Sequence, residues 1–310
     1  MKPKNLLIYY GWLNSFNSAQ NSWDNEKVAQ EFARYNMLAW GDGVQNPNHG
    51  DYANTSIIIS RIKVLNPSTR IFGYVAVNQS FADFKTKVDQ WNSLGIYGIL
   101  MDCAGYDWGT VATNGREALN SKVNYVHGLN SARSCFLNSW NPDHIMGTTN
   151  DVSYPNSTWN PNLMQSNVSE YDWYLLESHA ITAASAYESM TQWYDRGNVA
   201  KGKKRSVGIQ LAAASIISDD DAGGQAKFNF IYTAACLWSL DAVGSSDTSY
   251  GATNAKSKLW NRPDVSDIGE IYSETPIVKN SGNAYFRYFD SGVLRVDFTS
   301  SSETSSVTKY

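Results

Sequence analysis

Two short apolar runs in this sequence end in an acid: Gly98-Ile-Leu-Met-Asp102 and Tyr174-Leu-Leu-Glu177. Two carboxylates facing each other across roughly 5 to 9 Å are the equipment for cutting a glycosidic bond. One protonates the departing oxygen while the other attacks, activates water or stabilises the oxocarbenium charge. Glu177 is expected to be the general acid, because Leu175, Leu176 and nearby aromatics favour its protonated form; Asp102 is then nucleophile or base. The competing reading makes each acid half of a barrel salt bridge with an Arg or Lys, since an unpaired buried carboxylate is costly.

Further polar and aromatic residues sit where apolar runs end. They are Tyr10 and Trp12, Trp40 and Asp42, Tyr74, Trp108, Asn138 and Trp140, with Gln210, Asp247 and, just past Glu177, His179. Sugars bind such surfaces: the C–H face of a ring packs on an aromatic plane while hydroxyls meet amides and carboxylates. The acids Asp42, Asp51, Asp107, Asp219, Asp220, Asp221 and Asp247 fall in expected strand-to-helix loops, which makes the rim electronegative and attractive to a cationic sugar. The Asp219–Asp221 triplet also suits a helix entry, and metal binding by these acids is a further option. The four histidines show no zinc spacing, and there is no Walker loop, Gly-x-Ser-x-Gly elbow or Cys-x-x-Cys pair. No cofactor or metal is therefore expected.

The elements that must carry these residues read as repeated strand-helix units. Eight apolar runs are strand candidates: Leu6–Tyr10, Met37–Trp40, Ile71–Val75, Gly98–Asp102, Ser134–Asn138, Trp173–Glu177, Ser206–Leu211 and Ala242–Ser246. Few alternate strictly, as expected of parallel strands shielded on both faces. Between them, helical spacing runs through Asp24–Tyr35, Thr55–Leu65, Phe81–Leu94, Gly115–Ala132, Asn160–Val168, Ala183–Arg196 and Gly223–Leu240, with Gly95 and Gly197 as helix stops. Eight units without a glycine-rich phosphate fingerprint favour a closed (β/α)₈ barrel over a doubly wound open sheet. In such a barrel, active groups gather at the carboxyl ends of the strands.

The barrel is expected over residues 1–272. Residues 273–299 alternate and turn at Asp290-Ser-Gly292, giving a small C-terminal β appendage, and 300–310 reads as a mobile Ser/Thr-rich tail. The polar stretch Ser15–Asn25 is either a lid or a surface loop.

Bulk composition narrows the partners. The 310 residues are 42% hydrophobic and 17% charged, enough for a large core and far from a disordered composition. A net charge of −4 offers no basic footprint for nucleic acid or an anionic membrane, so a polysaccharide is the expected partner; the oligomeric state is left open. Cys103, Cys135 and Cys236 lie in or beside apolar runs and read as buried free thiols. The amino terminus has no cleavable signal pattern and no run approaches a spanning helix, which leaves extracellular or particle-associated locations open.

Gly95-Ile-Tyr-Gly-Ile-Leu-Met-Asp102 resembles the fourth-strand motif of glycosidase-like barrels. Together with Tyr9-Tyr-Gly-Trp12, Ile71-Phe-Gly-Tyr-Val75 and Leu175-Leu-Glu177, it looks like the spherulin-like and endo-α-1,4-polygalactosaminidase glycoside hydrolases. The segment Tyr285–Val296 is similar to the short β tail of such proteins. The resemblance implies a TIM-barrel hydrolase of an α-linked, galactosamine-containing polymer, with Asp102 and Glu177 at the matching positions; Asp42, on the second strand, is a third candidate, as a substrate-binding acid. Those relatives commonly carry Asp-Glu at the end of the fourth strand, whereas Cys103 follows Asp102 here. The alternative function is a non-catalytic glycan-binding barrel in a surface or tail structure; a lyase or deacetylase would instead gather Asp and His around a metal at the mouth.

Overall fold

A computed structural model describes residues 2–105, 115–130, 133–147, 159–183, 186–187, 190–217, 223–246, 258–265, 278–279, 284–289, 291–298 and 303–309. Eight parallel strands close into a barrel. In chain order they are β1 (Lys4–Tyr9), β2 (Met37–Trp40), β3 (Arg70–Ala76), β4 (Gly98–Asp102), β5 (Ser134–Asn138), β6 (Trp173–Leu176), β9 (Gln210–Ile216) and β10 (Ala242–Ser246). A small antiparallel pair, β7 (Ile181–Ala183) and β8 (Ala186–Tyr187), interrupts the series, and β10 returns to pair with β1.

Successive side chains on a strand face opposite ways, so each strand supplies two rows. The inward row forms its own cluster: Leu6 and Ile8, Met37 and Ala39, Phe72, Leu100, Phe136, Trp173 and Leu175, Ala212 and Ala214, and Ala242. Bulky rings from β3, β5 and β6 thus meet alanines from β9 and β10, which is how a closed tube is filled without overpacking. Phe72 and Phe136 meet edge to face at 5.2 Å, and at the floor the cations of Lys4 and Arg70 cover the Trp173 ring.

The outward row packs on helices. Between β3 and β4 the helix Phe81–Ser93 lays Trp91 directly over Gly73. A Cβ on Gly73 would sit 2.2 Å from the indole, so only glycine admits this approach. The indole Nε1 donates to the Tyr74 carbonyl at 3.1 Å, fixing the end of β3. The remaining long helices are Asn25–Phe32, Tyr52–Leu65, Arg116–His127, Met190–Val207 and Gly224–Leu237. Among the described residues no helix is long and apolar enough to cross a membrane.

Beyond the barrel, β11 (Val278–Lys279), β12 (Ala284–Phe289), β13 (Gly292–Phe298) and β14 (Glu303–Lys309) form an antiparallel sheet in that order. Tyr285 packs against Trp193 and Tyr194, and buried Arg287 donates to the Cys236 and Leu237 carbonyls and the Ser239 hydroxyl. That guanidinium caps carbonyls left open where the helix Gly224–Leu237 ends.

Several expectations need correction. The tail expected to be mobile contains β14, which pairs with β13 along its whole length, so the hairpin is part of a four-stranded sheet. No helix forms over Asn160–Val168. Asn160 closes a turn through Met164, and Leu163 has φ 52, so turn chemistry wins over apolar spacing. Ala183 ends β7 and Ala186–Tyr187 form β8 where helix was expected, and the helix starts at Met190 and runs to Val207. Gly208, with φ +82, ends it, so the next strand starts at Gln210 rather than Ser206.

Gly73→Ala should displace Trp91 and cost about 1–3 kcal/mol, as overpacking does. Chemical denaturation of the two proteins checks this, and equal stabilities would show that the indole approach is not constrained.

Candidate active site

The inward rows continue one step past the core, and that step supplies the site. Tyr10 follows Ile8, Tyr74 follows Phe72, Asp102 follows Leu100, Asn138 follows Phe136 and Glu177 follows Leu175, each two residues on. Period two therefore brings five polar side chains from five strands to one end of the tube. On β2 the corresponding position is Gly41, where a Cβ would lie 2.7 Å from the Tyr10 Cα; the missing side chain makes room for the β1 end.

The two acids meet through one amide. Asn138 Nδ2 donates to Asp102 Oδ1 at 2.8 Å and to Glu177 Oε2 at 2.7 Å. Sharing one nitrogen confines those two oxygens to within about 5.5 Å of each other, no farther than the roughly 5 to 5.5 Å between the carboxyl groups of retaining glycosidases. The Tyr74 hydroxyl donates to Asp102 Oδ2 at 2.7 Å, and the Cys103 thiol lies 3.7 Å from the same oxygen. Accepting from all three suits an ionised carboxylate, which has no proton to donate. Among the described residues neither carboxylate is paired with a cation, so the salt-bridge reading does not describe them.

Burial and the Asp102 charge push the Glu177 carboxyl up from the ordinary range, against the Asn138 hydrogen bond and the Arg196 charge. Arg196, buried and donating to the Glu177 carbonyl at 2.9 Å, also stacks its guanidinium 4.0 Å from the centre of the Trp140 ring. Together with Asp102, Cys103, Asn138, Glu177 and the Ser139–Trp140 pair, it lines a cavity of about 310 Å³. Burial and the Asp102 charge also drive the Cys103 thiol up to about 12, so it stays protonated. The chain leaves both acid-bearing strands in left-handed backbone, at Cys103 (φ 54), Ser178 (φ 50) and Ala180 (φ 68), a concentration of strain common at functional sites.

The other predicted residues divide by row and by end. Trp140 is exposed at the cavity, and Tyr10 stands edge-on to Tyr74 at 5.5 Å. Trp12 is exposed on the rim against His49 and Gly50. Trp40 belongs to the outward row and is fully buried against Phe32, so it cannot meet a ligand. His179 is buried beside Trp193 in the helix layer, because the left-handed turn after Glu177 carries it there. Burial and the Arg196 charge lower its pKa to about 3, so it stays neutral and does not reach Glu177. Gln210 begins β9 and lies at the amino end, bonded to the Glu170 carbonyl. Asp42 binds Lys87 and Gln45 outside the cavity. Trp108 and Asp247, like Asp107 and Asp219–Asp221, fall outside the described residues.

Sequence reasoning passed over Arg196 and Cys103. Arg196 reads as an ordinary helix-end cation, and nothing in its spacing announces that it lies under Trp140; Cys103, expected as a buried free thiol, is a half-buried wall of the cavity.

No protein family and no curated protein matches the sequence. Among solved structures, Amy13B of Eubacterium rectale is similar over 96% of this chain and 86% of its own, with 8% identity and a TM-score of 0.53. The glycoside hydrolase domain of PelA from Pseudomonas aeruginosa is 14% identical over 78% of this chain and 95% of its own, at TM-score 0.46. A broad-specificity endoglucanase of Ruminococcus champanellensis with bound cellotriose is 11% identical over 82% of this chain and 91% of its own, at TM-score 0.44. The likeness to Amy13B is one of fold alone.

Because Glu177 holds its proton more tightly in the folded protein than in the unfolded chain, its contribution to stability is present below its ordinary value of 4.5 and lost as pH rises through the raised value. Glu177→Gln removes the buried charge, so it should lack that fall and exceed the native protein in stability at neutral pH. Urea unfolding of both proteins at acid and neutral pH measures the difference; a difference that does not change with pH would contradict the assignment.

Proposed function

We propose that the protein is a glycoside hydrolase that works with retention of anomeric configuration. The observation that carries this reading is the Asn138 amide holding Asp102 and Glu177 within retaining distance at the barrel mouth. Glu177, raised by burial, gives its proton to the glycosidic oxygen as Asp102 attacks the anomeric carbon and the bond to the leaving sugar breaks. In the second half, Glu177 takes a proton from water, which displaces Asp102 and releases the sugar. Tyr74 and Asn138 steady the Asp102 carboxylate through both halves.

Trp140, braced by Arg196 beside the acids, and the exposed Trp12 on the rim offer apolar planes for sugar rings. The substrate is a polysaccharide, and the resemblance at Gly95–Asp102 directs the first choice to an α-linked polymer containing galactosamine. The second reading, a glycan-binding barrel without turnover, keeps the same platforms but gives the raised pKa of Glu177 no task.

Reducing-end release from a panel of polysaccharides, including partly deacetylated galactosaminan, tests this. The native protein should cut one of them, and folded Asp102→Asn and Glu177→Gln should each lose about 100- to 10,000-fold in rate. Binding without cutting by the native protein would favour the glycan-binding barrel. The anomer first released, followed by NMR, should match that of the substrate; an inverted product would remove Asp102 from the role of nucleophile.

A further inference from the structure

At the floor of the barrel, opposite the mouth, lies a cluster that the glycosidic chemistry does not use. His127 ends the helix Arg116–His127, Cys135 is the second residue of β5, and Asp172 stands just before β6. One ligand atom from each lies within 4.8 Å of the other two. Cys135 and Asp172 are fully buried, whereas the His127 side chain keeps 27% exposure. His127 faces a cavity of about 540 Å³ that Tyr97, Arg133 and Tyr171 also line.

We propose that His127, Cys135 and Asp172 bind one divalent transition-metal ion, zinc by preference, with its fourth position open to the floor cavity. The donor set argues for the ion: sulfur and imidazole together select zinc-like cations over magnesium or calcium, which take oxygen. Charge argues for it as well, because one thiolate and one carboxylate neutralise a dication and leave no net charge in the interior. The thiol proton leaves to solvent on binding.

The geometry is close to what a tetrahedral ion needs. Bonds of about 2.0 to 2.3 Å put ligand atoms roughly 3.3 to 3.8 Å apart. His127 Nε2 already lies 3.0 Å from both Asp172 oxygens, and closing the whole set from 4.8 Å takes shifts of about 1 Å. The carboxylate is held from behind, as metal-binding carboxylates are. It accepts from Cys135 N at 2.7 Å, from Ser169 N at 2.7 Å and from Ser169 Oγ at 3.1 Å. The ion ties a helix end to the starts of two strands, so its effect is on stability. Asp172 follows Cys135 by 37 residues and His127 by 45, a separation no short zinc motif spans.

Chelator-treated full-length protein titrated with cobalt(II) tests the site, followed by zinc(II) as competitor. The expected result is one equivalent of cobalt, a thiolate-to-cobalt charge-transfer absorption, its loss on adding zinc, and a rise in Tm with either ion. Cys135→Ser should lose the absorption. His127→Gln, at a half-exposed helix end and so less disruptive to folding, should weaken uptake beyond the roughly tenfold that loss of a supporting partner costs. Folded native protein that takes up no stoichiometric cobalt or zinc would overturn the proposal. So would uptake that lacks the thiolate absorption or is unchanged in His127→Gln, since either places the ion elsewhere.

Discussion

Each barrel strand sends every second side chain inward, and the rows that fill the tube must end somewhere in contact with water. At the amino end they close over Trp173 beneath Lys4 and Arg70. At the carboxyl end the same rows emerge as Tyr10, Tyr74, Asp102, Asn138 and Glu177. The strand register therefore fixes which side chains converge, and a shift of one residue would turn both acids into the helix layer. Gly73 under Trp91 and Gly41 beside Tyr10 keep that register by letting neighbouring elements approach closely.

Convergence of two carboxylates is unfavourable in itself, and the surrounding groups distribute the cost unequally. Asp102 receives the Tyr74 hydroxyl, half of the Asn138 amide and the Cys103 thiol; Glu177 receives the other half of the amide, and its burial favours the protonated form. One environment suits charge and the other a proton, which is the division that general acid and nucleophile require. Arg196 tempers the effect on Glu177 while fixing Trp140, so the exposed indole and the acid rest on the same cation.

The barrel and the place of both acids at strand ends are legible in the sequence because buried parallel strands leave compact apolar runs whose last residue is visible. Asn138, Tyr74 and Trp140 followed from the same logic. Where reading failed, the cause was row, end or turn. Trp40 closes its strand but in the outward row, a phase that Ala39 and Met37 already carried. Gln210 reads as a strand end, yet Gly208 at φ +82 stops the helix and makes Gln210 the start of its strand, whose run Leu211–Ile216, rich in alanine, looks little like a strand. His179 depends on two left-handed residues, Ser178 and Ala180, whose types do not announce that geometry. Arg196 under Trp140 is a contact between distant segments, which no local pattern encodes.

The central claim is that the Glu177 carboxyl binds its proton more tightly than an ordinary glutamate, through its burial and in part through the charge of Asp102. A carbon-13 NMR titration of glutamate side-chain carboxyls, with the Glu177 signal assigned by its loss in Glu177→Gln, measures this directly in the native protein and in Asp102→Asn. The account predicts a Glu177 pKa above the ordinary glutamate value in the native protein and a lower one once the Asp102 charge is removed. An ordinary native value, or one that does not respond to Asp102→Asn, would contradict it.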